Sequence, residues 1–142
     1  MTKEFVPYEL AVRLKALGFE ESCFGGFYDN GDLHIREVDF QSPLEGFCLA
    51  PTFSQAFRWF RENHQIFPEV LTDCTTEPKF VFTYNKFFGN PKDLTEQEWG
   101  WENNIGQYSE LYRTHGEAEL ACLTKLIEIV EQTKNYEQQE TK

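Results

Sequence analysis

The fold of this chain is decided by one stretch in which two β-forming segments flank a polar turn: Cys23-Phe24-Gly25-Gly26-Phe27-Tyr28-Asp29-Asn30-Gly31-Asp32-Leu33-His34-Ile35. Asn30 and Gly31 tolerate the positive φ angles of a tight turn, so the stretch predicts an antiparallel hairpin. Beyond residue 35 the alternation of apolar residues changes phase, which predicts a bulge near Arg36 and Glu37. The Gly-Gly pair predicts a bulge or a close backbone approach.

Two helices are expected on either side of this hairpin. The first spans residues 7–17, because Pro7 suits a first helical position and Gly18 suits the position after the last one. The second begins near Thr52, which forms a capping-box pair with Gln55, and extends to about residue 64. Their apolar faces predict a core of these residues: Leu10, Ala11, Leu14, Leu17, Phe53, Ala56, Phe57, Trp59 and Phe60.

The last helix is the clearest element of the sequence. Thr114 and Glu117 have the spacing of a capping box, and an apolar face continues from there to Val130. The residues expected to point inward are Leu120, Leu123, Leu126, Ile127 and Val130. Residues 132–142 are polar and are expected to form a frayed tail.

Two further strands are expected between the second and third helices, at residues 66–73 and 79–86. The second of them, which contains Phe-Val-Phe-Thr-Tyr, is rich in β-formers and is expected to be central. The element order is then α-ββ-α-ββ-α. This order predicts an α+β fold with an antiparallel sheet of about four strands and three helices packed on one face.

Residues 87–113 show no clear periodicity and are expected to form a long aromatic loop, with at most a short helix at residues 94–98. The loop carries Trp99 and Trp101 among glutamates, so an acidic aromatic surface for a basic or methylated partner is one interpretation. The alternative is that the tryptophans lie beneath the loop and anchor it. Trp99 and Trp101 are the candidate binding residues of the chain.

Length and composition predict one domain. The chain has 142 residues, of which 40% are hydrophobic, and its 14 Phe, 6 Tyr and 3 Trp supply large buried side chains. We therefore expect residues 1–131 to form a single α+β domain that needs no cofactor for its stability.

The formal net charge of −11 is distributed along the whole sequence, and no basic patch is evident. Because contacts of Lys and Arg with phosphate supply most non-specific affinity for nucleic acids, direct nucleic-acid binding is disfavoured. No apolar run approaches the roughly 20 residues of a membrane-spanning helix, and the first residues lack the apolar stretch of a signal peptide. The expected location is therefore the cytoplasm, with no membrane association.

The four cysteines, Cys23, Cys48, Cys74 and Cys122, are far apart in sequence. Their spacing predicts no zinc site. Four cysteines allow a disulfide framework, but buried free thiols are favoured because the sequence has no secretory signal and a large core. The three histidines have no metal-binding spacing, and the Asp29–Asp32 region lacks the pattern of a calcium loop. We expect no metal, no cofactor and no recognisable nucleophile motif.

Two polar residues on apolar helix faces are the remaining candidates for chemistry. Glu119 is either a desolvated acid or base, or an anion near the start of its helix, where free N–H groups favour it. His64 is either a catalytic or metal-binding residue, or a helix-terminal histidine that packs near the sheet. The second interpretation is favoured for both.

Three stretches together resemble a family of small uncharacterised proteins encoded by bacteriophages, prophages and their bacterial hosts. They are residues 7–24, residues 50–61 and residues 117–130, and they include most of the helices. The family carries no activity, cofactor or catalytic residue that the resemblance transfers. Two features depart from it: residues 87–113 form a longer segment, and His115-Gly116 replaces a tyrosine or acidic pair.

Three functional hypotheses follow. The leading one is a non-catalytic interaction protein of phage or mobile-element origin, with a protein partner. The second is a small enzyme that uses Glu119 or His64. The third is an acidic inhibitor that mimics nucleic acid and occupies a DNA-binding enzyme; its carboxylates would form a continuous strip.

Overall fold

The computed structural model describes residues 2–40, 47–73, 77, 79–88, 100–103 and 109–140. A short 3-10 turn at Thr2–Glu4 precedes nine elements: α1 (Tyr8–Ala16), β1 (Cys23–Tyr28), β2 (Leu33–Phe40), β3 (Phe47–Ala50), α2 (Phe53–His64), β4 (Ile66–Asp73), β5 (Lys79–Phe88), β6 (Gly100–Asn103) and α3 (His115–Glu140). The chain forms two compact units. The first comprises Met1–Ala56 with Leu123–Lys142, and the second comprises Phe57–Cys122.

The α+β class, the antiparallel pairing and the expected order of elements are confirmed, with two additional strands. We expected about four strands in one sheet, whereas the described strands form two three-stranded sheets, β2-β1-β3 and β4-β5-β6. Each pair of predicted strands thus gains a third one. β6 lies inside residues 87–113, so part of the expected loop is a strand. The short helix expected at residues 94–98 lies outside the described residues.

The sheet of the first unit is built on the predicted hairpin. Gly31 has a φ of 84°, and its N–H donates to the Tyr28 carbonyl at 2.8 Å. Cys23 pairs with Phe40 and Gly25 with Ile35, so β2 has extra residues over this interval and the predicted bulge is confirmed.

The Gly-Gly pair lies at a close approach of neighbouring aromatic rings. A Cβ on Gly25 would lie 2.6 Å from Phe5 Cε1, and a Cβ on Gly26 would overlap the Phe47 ring. Only glycine leaves room for these rings. A Cβ on Gly25 would also lie 2.9 Å from the Ala50 carbonyl oxygen, so the predicted close backbone approach is confirmed at Gly25.

The helix α1 ends as the sequence predicts. Gly18 has a φ of 101°, and its N–H and that of Phe19 donate to the carbonyls of Lys15 and Leu14 at 3.0 Å. This pair of bonds is a Schellman motif, which satisfies the last carbonyls of the helix. Pro7 precedes the first helical residue by one position.

Within the first unit, α1 also contacts the second half of α3. Arg13 and Glu131 form a two-pronged ion pair, and Lys134 Nζ donates to the Leu17 carbonyl at 3.0 Å. The sequence predicted a helix end near residue 131, but α3 continues to Glu140. The residues after 131 are polar but include good helix formers, and Lys134 gains a partner on α1 only if the helix continues.

The core residues of both helical faces are largely as predicted. All nine apolar residues expected to be buried in α1 and α2 and at the end of α1 have low exposure. In α3, Leu120 is 39% exposed, so its predicted burial is wrong. Ala118 and Cys122, both fully buried, occupy the inward positions of that turn instead.

The sheet of the second unit has β5 at its centre, as expected. All eight residues of β4 pair antiparallel with β5, from Ile66 opposite Lys86 to Asp73 opposite Lys79. On its other side β5 pairs with β6, and Phe80 forms a bridge with Tyr112. Among the described residues, no helix is both long and apolar enough to cross a membrane.

Candidate functional site

Of the two candidate binding tryptophans, the structure describes only Trp101. Trp101 lies in β6, where its backbone is opposite Phe87 of β5. Trp99 lies outside the described residues. The sheet β4-β5-β6 is therefore the element that positions the predicted binding residue Trp101.

The side chains of this sheet are only partly covered. Every side chain from Lys79 to Phe87 is only half-buried, and in β4 only Ile66 is buried. Leu71 is 38% exposed, and its neighbours Glu69 and Thr72 are exposed as well. The sheet therefore presents partly exposed apolar and aromatic side chains, of which Leu71 is the most exposed among those that the structure describes.

The face that carries Leu71 follows from the strand register. Leu71 is opposite Val81, and Glu69 is opposite Thr83. Because residues directly opposite each other share a face, and alternate residues of a strand do too, Phe87 lies on this face as well.

His64 is the last residue of α2 and packs among aromatic rings. Its ring centroid lies 4.7 Å from that of Trp59, in an edge-on arrangement, and 5.7 Å from that of Phe60. Its half-buried position at the helix C-terminus agrees with the favoured interpretation of a packing residue.

Glu119 is joined to His115, one turn earlier on α3. Glu119 Oε1 lies 3.1 Å from His115 Nδ1, and the two side chains are 23% and 55% exposed. The His115 ring in turn lies edge-on to Phe80 of β5, at 5.6 Å between centroids. The structure thus pairs Glu119 with His115 and not with His64.

Tyr112 and Cys122 lie beside this pair. Burial raises the pKa of the Cys122 thiol to about 12, with a smaller contribution from the Glu119 carboxylate. Burial also raises the pKa of Tyr112, whose hydroxyl donates to Glu110 Oε1 at 3.3 Å. Both groups keep their protons near neutral pH, so neither offers an activated nucleophile to His115.

The start of α3 confirms the capping signal. The Glu117 N–H donates to Thr114 Oγ1 at 3.1 Å, and Glu117 Oε2 accepts from the Arg113 N–H at 3.2 Å. The Glu117 carboxylate therefore reaches one residue beyond the N-cap. This arrangement fixes the turn that carries His115 and Glu119.

The cysteines agree with the prediction of free thiols where they are described. Cys23, Cys48 and Cys122 are buried and form no disulfide bond. Cys74 lies outside the described residues. Within the described part of the chain, no group of three or more metal-ligating side chains is assembled.

Sequence reasoning missed two parts of this site. His115 carries a visible signal, because a histidine four residues before a glutamate on one helix brings the two side chains together. The exposure of Leu71 carries no such signal, because Val70 and Leu71 are adjacent apolar residues on opposite faces and their order does not show which face is covered.

The comparisons with known proteins add no name to this geometry. No family model matches the chain, and no curated protein or solved structure is significantly similar to it. The resemblance to proteins of phages and prophages stays a prediction.

Proposed function

We propose that this chain is a non-catalytic interaction protein of phage or mobile-element origin, and that the sheet β4-β5-β6 carries its binding surface. The observation that carries the proposal is the partial exposure of this sheet, with Leu71 38% exposed on the face that also holds Phe87. Exposed apolar side chains in one contiguous patch are typical of protein-binding surfaces. The partner completes the cover that the sheet lacks.

The two candidate tryptophans belong to this proposal. The backbone of Trp101 is opposite Phe87 in the strand register, and both tryptophans occur among glutamates in the sequence. Aromatic residues are enriched at the centres of protein interfaces. The chain's formal charge of −11 favours a basic partner, because opposite charges speed the encounter and disfavour acidic competitors.

The phage or mobile-element origin rests on the sequence resemblance of the helices alone. It determines where to search for the partner, namely in a bacterial lysate.

The experiment is affinity capture with matched surface variants. The full chain, Leu71→Glu and Trp101→Ala are immobilised and exposed to bacterial lysate. Val12→Glu is the control, because Val12 is 41% exposed but belongs to α1 of the other unit. We expect the parent and the control to retain the same specific proteins and both sheet variants to lose them. Equal capture by all four proteins, or specific capture by none, would contradict the proposal.

The identity of the captured protein distinguishes the leading proposal from the hypothesis of an acidic inhibitor that mimics nucleic acid. A DNA-binding enzyme that is released by added duplex DNA would support nucleic-acid mimicry. A partner that is indifferent to DNA would support the leading proposal.

A small enzyme remains the second candidate, and one observation favours it: the His115–Glu119 contact at 3.1 Å. A carboxylate that orients a histidine leaves the other ring nitrogen as a general base, as in hydrolases. Activity on a panel of ester and phosphoester substrates that is lost in His115→Ala and in Glu119→Gln would support this candidate. Equal turnover by the parent and both variants would exclude this pair.

A further inference from the structure

The hydrogen bonds of β5 show which residues of β4 direct their backbone groups toward β5 and which direct them toward the outer edge of the sheet. The Phe80 N–H and carbonyl both bond to Tyr112, at 2.9 and 2.8 Å. Phe82 does the same with Ser109: its N–H donates to Ser109 Oγ at 2.8 Å, and its carbonyl accepts from the Ser109 N–H at 3.0 Å. Even-numbered residues of β5 therefore direct their backbone groups away from β4.

Odd-numbered residues of β5 consequently face β4, since successive residues of a strand direct their N–H and C=O groups to opposite sides. The Phe87 N–H, which donates to the Gln65 carbonyl at 2.9 Å, confirms this direction at the other end of the strand. Val81 faces β4, and its partner across the ladder is Leu71. The backbone N–H and carbonyl of Leu71 are thus directed toward β5.

The backbone N–H and carbonyl groups of the residues on either side of Leu71 must then point away from β5. Val70 and Thr72 each direct an N–H and a carbonyl away from the sheet, and within the described chain these groups have no hydrogen-bond partner. Pro68 also points outward, but it offers only a carbonyl. Proline at this position is typical of an edge strand, because a central strand needs the N–H.

We propose that this edge, from Pro68 to Thr72, binds an extended basic segment of the protein partner by adding it to the sheet as a further antiparallel strand. This inference rests on the proposed function and names the way in which the same sheet binds. Addition of a strand to an open edge is an established mode of peptide recognition, in which backbone bonds supply affinity and alternate side chains supply specificity.

The register defines the side chains of the incoming segment, which is about five residues long. Its central residue bonds to Val70 through both backbone groups and lies beside the Val70 side chain. The preceding residue lies opposite Leu71, which favours an apolar side chain. The following residue lies opposite Glu69, an exposed carboxylate, which favours Lys or Arg.

Charge also selects this occupant over a second copy of the chain. Two copies would bring together proteins that each carry a formal charge of −11, with Glu69 and Asp73 of both copies on one face. Pro68 further reduces self-pairing, because in the symmetric register centred on Val70 it lacks the donor that would face Thr72. A basic segment meets attraction where a second copy meets repulsion.

Pro68 also explains why the edge is short. An open, flat, apolar strand edge is an aggregation hazard, and natural proteins limit it with proline and charge. Here proline ends the open stretch on one side, and Asp73 is the last residue of the strand on the other. The stretch that remains is long enough for a peptide and too short for an extended sheet.

The test is a binding titration of the full chain with a labelled peptide that contains Thr-Leu-Val-Lys-Thr between flexible ends. Two control peptides keep its length: one is N-methylated at the central valine, and one has Glu in place of Lys. We expect the N-methylated peptide to bind at least about tenfold more weakly, because the bond to the Val70 carbonyl is lost and the methyl group obstructs pairing. We expect the Glu peptide to bind about fivefold more weakly, the upper range for an exposed ion pair.

Protein variants locate the peptide. Val70→Pro removes only an outward N–H and should weaken binding, whereas Val70→Ala keeps that N–H and should retain most of it. Glu69→Lys should reverse the preference, so that the Glu peptide binds more tightly than the Lys peptide. Circular dichroism of each variant confirms that it folds.

Three results would overturn the inference. They are equal binding of the methylated and unmethylated peptides, no binding of the Lys peptide, and dimerisation in sedimentation that Val70→Pro abolishes. Failure here is distinguishable from failure of the proposed function. If Leu71→Glu still loses its lysate partners, the sheet face binds by another mode and only the inference falls.

Discussion

Arg13 and Glu131 meet side by side: Nε and Nη2 of the arginine each lie 2.8 Å from one carboxylate oxygen of the glutamate. This two-pronged contact joins α1 to α3 across 118 residues of sequence. The hydrogen bond from Arg13 lowers the pKa of Glu131, and the same bond raises the pKa of Arg13.

Glu131→Gln should therefore destabilise the protein in a pH-dependent way. Because the folded state holds the pKa of Glu131 below its ordinary value of 4.5, the stabilisation is present above that value and is lost as the pH falls through the lowered pKa. Both side chains are about one-third exposed, so we expect a loss below about 1 kcal/mol near neutral pH. Urea unfolding at neutral and acidic pH measures it, with Glu20→Gln as an exposed control. A difference that persists in acid would contradict the assignment.

The glycines offer a matched pair of substitutions. Gly26→Ala would place a methyl group on the Phe47 ring, which is buried, so we expect a loss of about 1–3 kcal/mol of unfolding free energy. Gly116→Ala lies in the first turn of α3 with nothing within 4 Å of the new atom. It should stabilise the protein by about 0.5–1 kcal/mol, since alanine is the better helix former. Chemical denaturation of both variants decides, and equal effects would show that the Phe47 contact is wrong.

Thr114 should stabilise the folded protein through its side-chain oxygen, which caps the start of α3. Thr114→Ala removes the acceptor for the Glu117 N–H and should cost about 1 kcal/mol, whereas Thr114→Ser keeps the acceptor and most of the stability. Thermal unfolding of the two variants provides the measurement. If serine and alanine are equally destabilising, the methyl group and not the cap accounts for the effect.

Cys122 should resist alkylation in the folded protein. Its side chain is fully buried and its pKa is raised to about 12, so little thiolate is present or accessible at mildly alkaline pH. Treatment with iodoacetamide followed by mass spectrometry should leave Cys122 unmodified in buffer and modify it in guanidinium. Rapid modification of the native protein would instead revive a nucleophilic role.

Local signals in the sequence predicted local structure well. The cap at Thr114, the termination at Gly18 and the turn at Gly31 each depend on residues a few positions apart, and all three are confirmed. The missed strands lack such signals. All four residues of β3 are buried, so the strand shows no alternation, and β6 has only four residues.

The candidate site was predicted only in part for a related reason. Trp101 was identified by its residue type, but the exposure of Leu71 and the outward direction of Val70 depend on the pairing between β4 and β5. Pairing joins residues that are distant in sequence, and a shift of one residue would exchange the two faces of the strand. Sequence alone does not contain that register.

The most direct test of the binding surface is amide hydrogen exchange along β4, measured by NMR with and without the Lys peptide. In the free protein, the N–H groups of Val70 and Thr72 should exchange rapidly, while those of Glu69 and Leu71, bonded to β5, should be protected. Addition of the peptide should slow exchange at Val70 and Thr72 by about tenfold or more and leave Leu71 unchanged. Slow exchange at Val70 in the free protein, or no change at Val70 and Thr72 when the peptide is added, would contradict the account.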